Sequence, residues 1–260
     1  MRLIKKLGGV IHNWHILRDM SLSQLKAKYA GSALGLWWAV VTPLIIAASI
    51  NFVFNLISRT VINNYTVYVL SGIIPWFFSV NALSESTGAL SNNARIIRQT
   101  VFPREILSLS CVAANFFNFL IGMLILLPLF MVVNMKVIVF LPLLLFVAIL
   151  HFIFICGLGI LFSCLNVYFK DLSHFLATAF MGWFWLTPVF YSASVFVYPF
   201  NLICTFNPMY YYTMMYQDIL YRAMMPSVGV IVISTGLSVA TFILGYQYFI
   251  NSEAHLLKRI

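Results

Sequence analysis

The 260-residue chain is 62% hydrophobic and 8% charged, with a mean hydropathy of +0.97, where soluble domains carry about 25% charged residues. This much apolar surface exceeds what a soluble core hides, so lipid is the solvent for most side chains. The formal charge of +9 does not indicate a nucleic-acid partner, because most basic residues sit in the gaps between apolar stretches, where they set orientation.

The N-terminal MRLIKKLGGVIHNW carries basic residues but no apolar run long enough for the core of a signal peptide. Between 11 and 29, Ile11, Trp14, Leu22, Leu25 and Tyr29 fall within a narrow arc when the chain is wound at about 100° per residue. Lys26 and Lys28 flank that arc and Arg18 intrudes on it. An amphipathic helix at the inner membrane surface fits this pattern, serving either as a topology anchor alone or as a contact surface. Gly31, Ser32 and Gly35 then permit a sharp change of direction, and Trp37 and Trp38 stand where an interfacial belt is expected.

Six spans follow, with the first at about 34 to 56, the second at about 66 to 88 and the third at about 106 to 131. The fourth, about 137 to 165, is long enough to tilt, project or kink at Pro142. A short fifth covers about 173 to 190 and a sixth about 228 to 250. The fold class is therefore an all-α polytopic membrane protein with six transmembrane helices, since the runs do not alternate as lipid-facing strands must. With both termini cytoplasmic, only Arg59, Lys136 and Arg222 of the 15 basic residues fall outside, a strong positive-inside bias. The expected organisation is an N-terminal helix over 1–33, a transmembrane domain over 34–250 and a cytoplasmic tail over 251–260.

Two connections stand out. Residues 89–105, with Arg95, Arg98 and Arg104 beside Ile96, Ile97, Val101 and Phe102, either rest on the membrane or dock into a groove of a soluble partner. Arg104 and Glu105 are placed to pair with polar groups at the membrane edge. Residues 191–227 are apolar but broken by Pro199, Pro208 and Pro226. They form either re-entrant helices dipping into the outer side of the bilayer, which require protein cover, or one flat interfacial helix.

No recognisable catalytic chemistry appears. There is no GxxxxGK[ST] phosphate loop, no HExxH and no CxxC among Cys111, Cys156, Cys164 and Cys204. The five histidines are scattered, so no metal site is expected. Glu85, the one carboxylate well inside the expected spans, lies near the cytoplasmic end of its helix, where an ion pair explains it as well as a coupling role does. What remains is aromatic wealth, with 24 Phe, 13 Tyr and 6 Trp. Pro75-Trp76-Phe77-Phe78, Trp183-Phe184-Trp185 and Tyr210-Tyr211-Tyr212 either line a passage for a sugar or amphipathic solute or simply pack.

Four stretches together resemble the membrane subunit of ABC-2 type exporters, most closely the polysaccharide and polyol-phosphate permeases that export O-antigen or wall teichoic acid. They are LKAKYAGSALGLWWAVVTPL, SGIIPWFFSVNALSESTGALSNNARIIRQTVFPREIL, KDLSHFLATAFMGWFWLTPVFYS and FNPMYYYTMMYQDILY. The likeness runs along nearly the whole chain in the family's order. It implies a second copy of the chain as partner, and two separate ABC nucleotide-binding subunits that hold ATP and Mg2+. It implies no cofactor on this chain and no catalysis by it.

By the same resemblance, Lys26, Lys28, Tyr29, Arg95, Arg98, Phe102, Pro103, Arg104 and Glu105 would form the coupling surface. Trp37, Trp38, Trp76, Phe77, Trp183, Trp185, Tyr191 and Tyr211 would line or gate the passage, where a lipid-linked glycan enters from the inner leaflet. Lys26-Ala27-Lys28 replaces the family's more usual arginine-rich version, which keeps the charge but loses the bidentate fork. Export of teichoic acid, of capsular polymer, or of a small drug or lipid on the same fold stays open. So do an ion-coupled carrier and a membrane scaffold that recruits a partner through 92–107.

Overall fold

The computed structural model describes residues 2–58, 62–99, 102–193, 198–199 and 201–259, and those residues form helices and turns without a strand. Where water is absent, a helix satisfies every backbone polar group within itself, so long apolar runs leave the chain little else to form. The bundle opens with α1 (Arg2–His12) and α2 (Trp14–Tyr29), followed by α3 (Trp38–Ser58) and α4 (Tyr65–Thr87). Two short helices, α5 (Ala89–Asn92) and α6 (Ala94–Gln99), lead to α7 (Glu105–Val133) and α8 (Leu141–Tyr168). The remainder is α9 (Leu172–Leu186), α10 (Asn201–Phe206), α11 (Pro208–Leu220) and α12 (Val228–Arg259).

Among the described residues, five segments are long and apolar enough to cross a membrane: Gly35–Phe54, Tyr65–Thr87, Glu105–Val133, Met135–Tyr168 and Val228–Leu256. The stretch expected as the fifth span is the 15-residue α9, about 22 Å long at 1.5 Å per residue, against a hydrocarbon core of about 30 Å. Pro142 does not kink the fourth long helix. It sits in the first turn of α8, where a missing N–H costs no hydrogen bond. The amphipathic N-terminal stretch is two helices, broken at Asn13, whose side-chain amide donates to the Gly9 carbonyl at 2.8 Å. Residues 251–259, expected as a tail, are helical and continuous with α12.

The centre of the bundle is α4, most of which is buried among α3, α7, α8, α9 and α11. The tightest pairing is α8 against α12. A Cβ added at Gly157 would lie 2.4 Å from the Thr241 carbonyl carbon, and one at Gly245 would lie 2.1 Å from the Gly157 oxygen. The backbones therefore touch directly, as small residues allow in membrane helix pairs.

Instead of one flat helix, the chain between α9 and α12 contains α10 and α11, parted at Asn207-Pro208. Almost every residue of α11 from Met209 to Leu220 is buried, against α4, α8 and α12. Two of its polar groups find partners across the bundle, the Tyr212 hydroxyl contacting Ser238 Oγ at 2.6 Å and Gln217 donating to the Pro188 carbonyl at 3.0 Å, while the buried Thr213 hydroxyl has none among the described residues. Asp218, buried on the same helix, pairs with Arg222 at 2.7 Å. On the α8 side, His151 Nε2 and Ser79 Oγ lie 2.8 Å apart. Of this segment α11 belongs to the core, while α10 is largely exposed.

Candidate functional site

The stretch LKAKYAGSALGLWWAVVTPL forms a hinge. Gly31 at φ +75° and Gly35 at φ +50° occupy the left-handed region, which a Cβ penalises. Between them, Ser32 Oγ accepts from the Gly35 N–H at 3.2 Å and from Trp38 Nε1 at 3.1 Å. One hydroxyl thus fixes the turn that joins α2 to α3.

The polar face of α2 is turned onto α7. Gln24 Nε2 donates to Ser110 Oγ at 3.0 Å, Lys28 Nζ donates to Asn115 Oδ1 at 2.7 Å, and the Tyr29 hydroxyl donates to Asn118 Oδ1. Partners rise together along both helices, so α2 runs beside the first half of α7 in the same direction. Lys28 also pairs with Glu85 at 3.0 Å, and Asn115 Nδ2 donates to the other oxygen of Glu85 at 2.5 Å. The carboxylate near the end of α4 is therefore held in a closed Lys–Asn–Glu triangle. Burial raises the Tyr29 phenol above its ordinary range; the Asn118 hydrogen bond opposes this and the Glu85 charge adds to it. Tyr29 is thus a neutral donor.

Above this triangle lies a cavity of about 420 Å³ between α2, the start of α3, α4 and α7, whose lining includes Lys28, Tyr29, Trp38, Phe77, Asn81 and Asn118.

The remaining coupling candidates fall into two groups. Lys26, Arg95 and Arg98 are exposed, and the last two edge a shallow surface hollow with Ala94 and Gln99. Ile97 is buried beneath them, while Ile96 is open. Phe102 is half-buried against the core. Pro103 lies beside Gly9 of α1, where a Cβ on the glycine would approach its ring to 3.8 Å. Arg104 and Lys6 share Glu253 of α12, at 3.2 and 2.6 Å. Glu105 is fully buried and accepts from the Tyr246 hydroxyl at 3.1 Å. Glu105 thus faces inward and Tyr29 is half-buried, whereas Lys28 stays exposed while holding Asn115 and Glu85, beside the exposed Lys26 and the α6 arginines.

The aromatic candidates also divide. Trp76, Phe77 and Trp185 meet in an apolar groove of about 450 Å³ between α3, α4 and α9. Trp183 packs edge-on to Trp76 at 5.7 Å and donates to Asn207 Oδ1 at 2.8 Å, so it serves as a strut. Tyr191 donates to the Trp185 carbonyl and Tyr211 to the Thr205 carbonyl, each at 2.8 Å. Trp37 is exposed beside the hinge.

The sequence reading missed Asn115, Asn118 and Gln24. A signal was available: Asn115 and Asn118 stand three residues apart in an apolar run, which puts both on one helix face, and amides inside a membrane helix seek partners. His151 and Asp218 were passed over for a different reason, since their partners come from distant segments.

Long apolar helices, a polar hinge and a cavity enclosed by both describe a multi-pass membrane protein. The chain belongs to the ABC-2 type transporter family, whose model matches residues 20–221. It is 32% identical over 248 residues to an O-antigen export system permease protein RfbA of Klebsiella pneumoniae, covering 91% of this chain and 95% of that one. A second Klebsiella pneumoniae protein of that name is 33% identical over 189 residues, covering 71% and 72%. The O-antigen export system permease protein RfbA of Myxococcus xanthus is 27% identical over 220 residues, covering 81% and 82%.

Proposed function

We propose that this chain is the membrane subunit of an ATP-driven exporter that moves a lipid-linked O-antigen polysaccharide from the inner to the outer face of the cytoplasmic membrane. The observation that carries the reading is the near full-length match to O-antigen export permeases within a matched ABC-2 family model. The chain works without changing the substrate covalently. ATP and Mg2+ bind two ABC nucleotide-binding subunits, which fits a sequence without a phosphate loop.

In this reading both termini are cytoplasmic and two copies of the chain assemble. Residues 187–193 prolong α9 into the fifth of six crossings, and α10 with α11 forms a re-entrant outer gate. The apolar groove at Trp76, Phe77 and Trp185 faces the second copy and borders the passage.

Energy enters through the inner face. Exposed Arg95, Arg98 and Ile96 on α6 offer charge and apolar surface to a groove of the ATPase, the pattern of a short helix docking by one face. Movement of α6 is passed to α7 through the short link at Phe102, Pro103 and Arg104. Glu253 ties that link to α1 and α12, so α1 and the inner ends of α7 and α12 move as one unit. The lipid carrier stays at the protein–membrane boundary while the sugars meet the interior.

The test is export in a strain lacking the chain, with the partner ATPase intact or catalytically dead. Restored surface glycan with the intact ATPase and none with the dead one is expected. Unchanged export with the dead ATPase would reject the division of labour.

A further inference from the structure

We propose that the cavity between α2, the start of α3, α4 and α7 is a binding site for one neutral sugar ring of the exported glycan; this rests on the export reading and assigns its substrate a first contact. Its volume of about 420 Å³ lies within the range of about 300–1,000 Å³ typical of small-ligand sites. Three of its walls carry rings, Trp38, Phe77 and Phe78, which offer flat apolar faces to the C–H side of a pyranose.

The polar groups point to hydroxyls as the ligand's other face. Among the described residues, the Asn81 amide and the Thr42 hydroxyl line the cavity and have no hydrogen-bond partner. Asn81 is half-buried and Thr42 exposed, so both groups are open to a ligand, and a bound polyol both donates to and accepts from them. Asn118 spends its oxygen on Tyr29, which leaves its NH2 as a donor. Lys28 uses two of three N–H groups, on Glu85 and Asn115, and keeps one.

Charge separates a sugar from an anion. The one ammonium at this site is paired with Glu85 at 3.0 Å, so its field is largely cancelled at the distance of a ligand. A phosphate would meet one compensated lysine and several amides, whereas a neutral ring meets donors and acceptors in balance. The site reads hydroxyl positions, while the charged part of the lipid carrier stays outside it.

Two measurements decide the matter. Saturation-transfer NMR on the permease–ATPase complex in nanodiscs uses methyl glycosides of common hexoses and 6-deoxyhexoses as probes, with inorganic phosphate as competitor. Transfer to ring protons that falls at least five-fold in Asn81→Leu and in Trp38→Ala, and that phosphate does not displace, is expected. Transfer that is absent, or equal in the variants, overturns the site, as does displacement by phosphate; a cavity filled only by water gives the first of these results. Asn81→Leu removes no hydrogen bond among the described residues, so its thermal midpoint should not fall below the parent's, which rules out misfolding.

In cells lacking the chain, Asn81→Leu should lower surface glycan at least ten-fold at equal protein level, and Thr42→Val by less. Parental export with Asn81→Leu overturns the site and leaves the export reading intact. Failure of the parent chain itself to restore glycan removes the export reading, while the NMR result still judges the cavity.

Discussion

Asn115 shows how much rests on one amide beside the hinge. It accepts from Lys28 at 2.7 Å, donates to Glu85 at 2.5 Å and also donates to the Cys111 carbonyl at 2.9 Å, while being almost wholly buried. The Lys28–Glu85 pair is partly open to solvent, so by itself it contributes little. The amide gives the pair its geometry. Asn115→Leu should therefore destabilise the protein by about 1–3 kcal/mol, the cost of leaving buried polar groups unpaired. Thermal unfolding in detergent reads this as a lowered midpoint. A midpoint equal to the parent's would mean that the triangle forms without Asn115.

Among the elements, α8 and α12 are joined by backbone contact rather than by large side chains. Gly245→Ala places a methyl 2.1 Å from the Gly157 oxygen, and the helices must separate to accept it. The expected loss is about 1–3 kcal/mol, the usual cost of overpacking. Gly236→Ala, on the same helix with nothing within 4 Å of the new methyl, should be neutral or slightly stabilising, because alanine is the better helix former by about 1 kcal/mol. Comparing the two midpoints separates close packing from a general intolerance of α12 to substitution. The same logic explains α9 and α11, where Asn207 gathers Trp183, Thr187 and the N–H of Met209 on one side chain and so sets how the two helices meet.

The whole molecule brings the ends of several helices together. Glu253 near the end of α12 holds Lys6 of α1 and Arg104 before α7, so the two ends of the chain and the link after α6 share one carboxylate. The outward surface of α6 lies beside this knot in sequence. Arg98→Glu with Phe102→Asp should reduce capture of the partner ATPase at least ten-fold, while the chain still inserts and exports nothing. Co-purification from membranes measures this. Normal association and nucleotide-dependent activity would sink the docking role of the loop.

Much of this architecture was legible in the chain because membrane helices obey composition and length. The apolar runs placed four of the long helices to within a few residues, and Gly31, Ser32 and Gly35 announced the turn that Ser32 indeed closes. The proline breaks in 191–227 pointed to divided helices, and α10 and α11 are divided at Pro208. Less legible was which partner a polar residue takes. Lys28 and Tyr29 reach Asn115 and Asn118 of α7, which stand 87 and 89 residues away. No local period encodes such a pairing.

By itself, then, the sequence determined an all-helical membrane chain and its family order, because burial of backbone polar groups and apolar periodicity act within single segments. Only the tertiary structure decided which asparagines meet which cations, which tryptophans are struts and which line a groove, and that α2, α3, α4 and α7 enclose a cavity. Those outcomes depend on side chains from separate helices arriving within about 3 Å of one another, a distance set by packing.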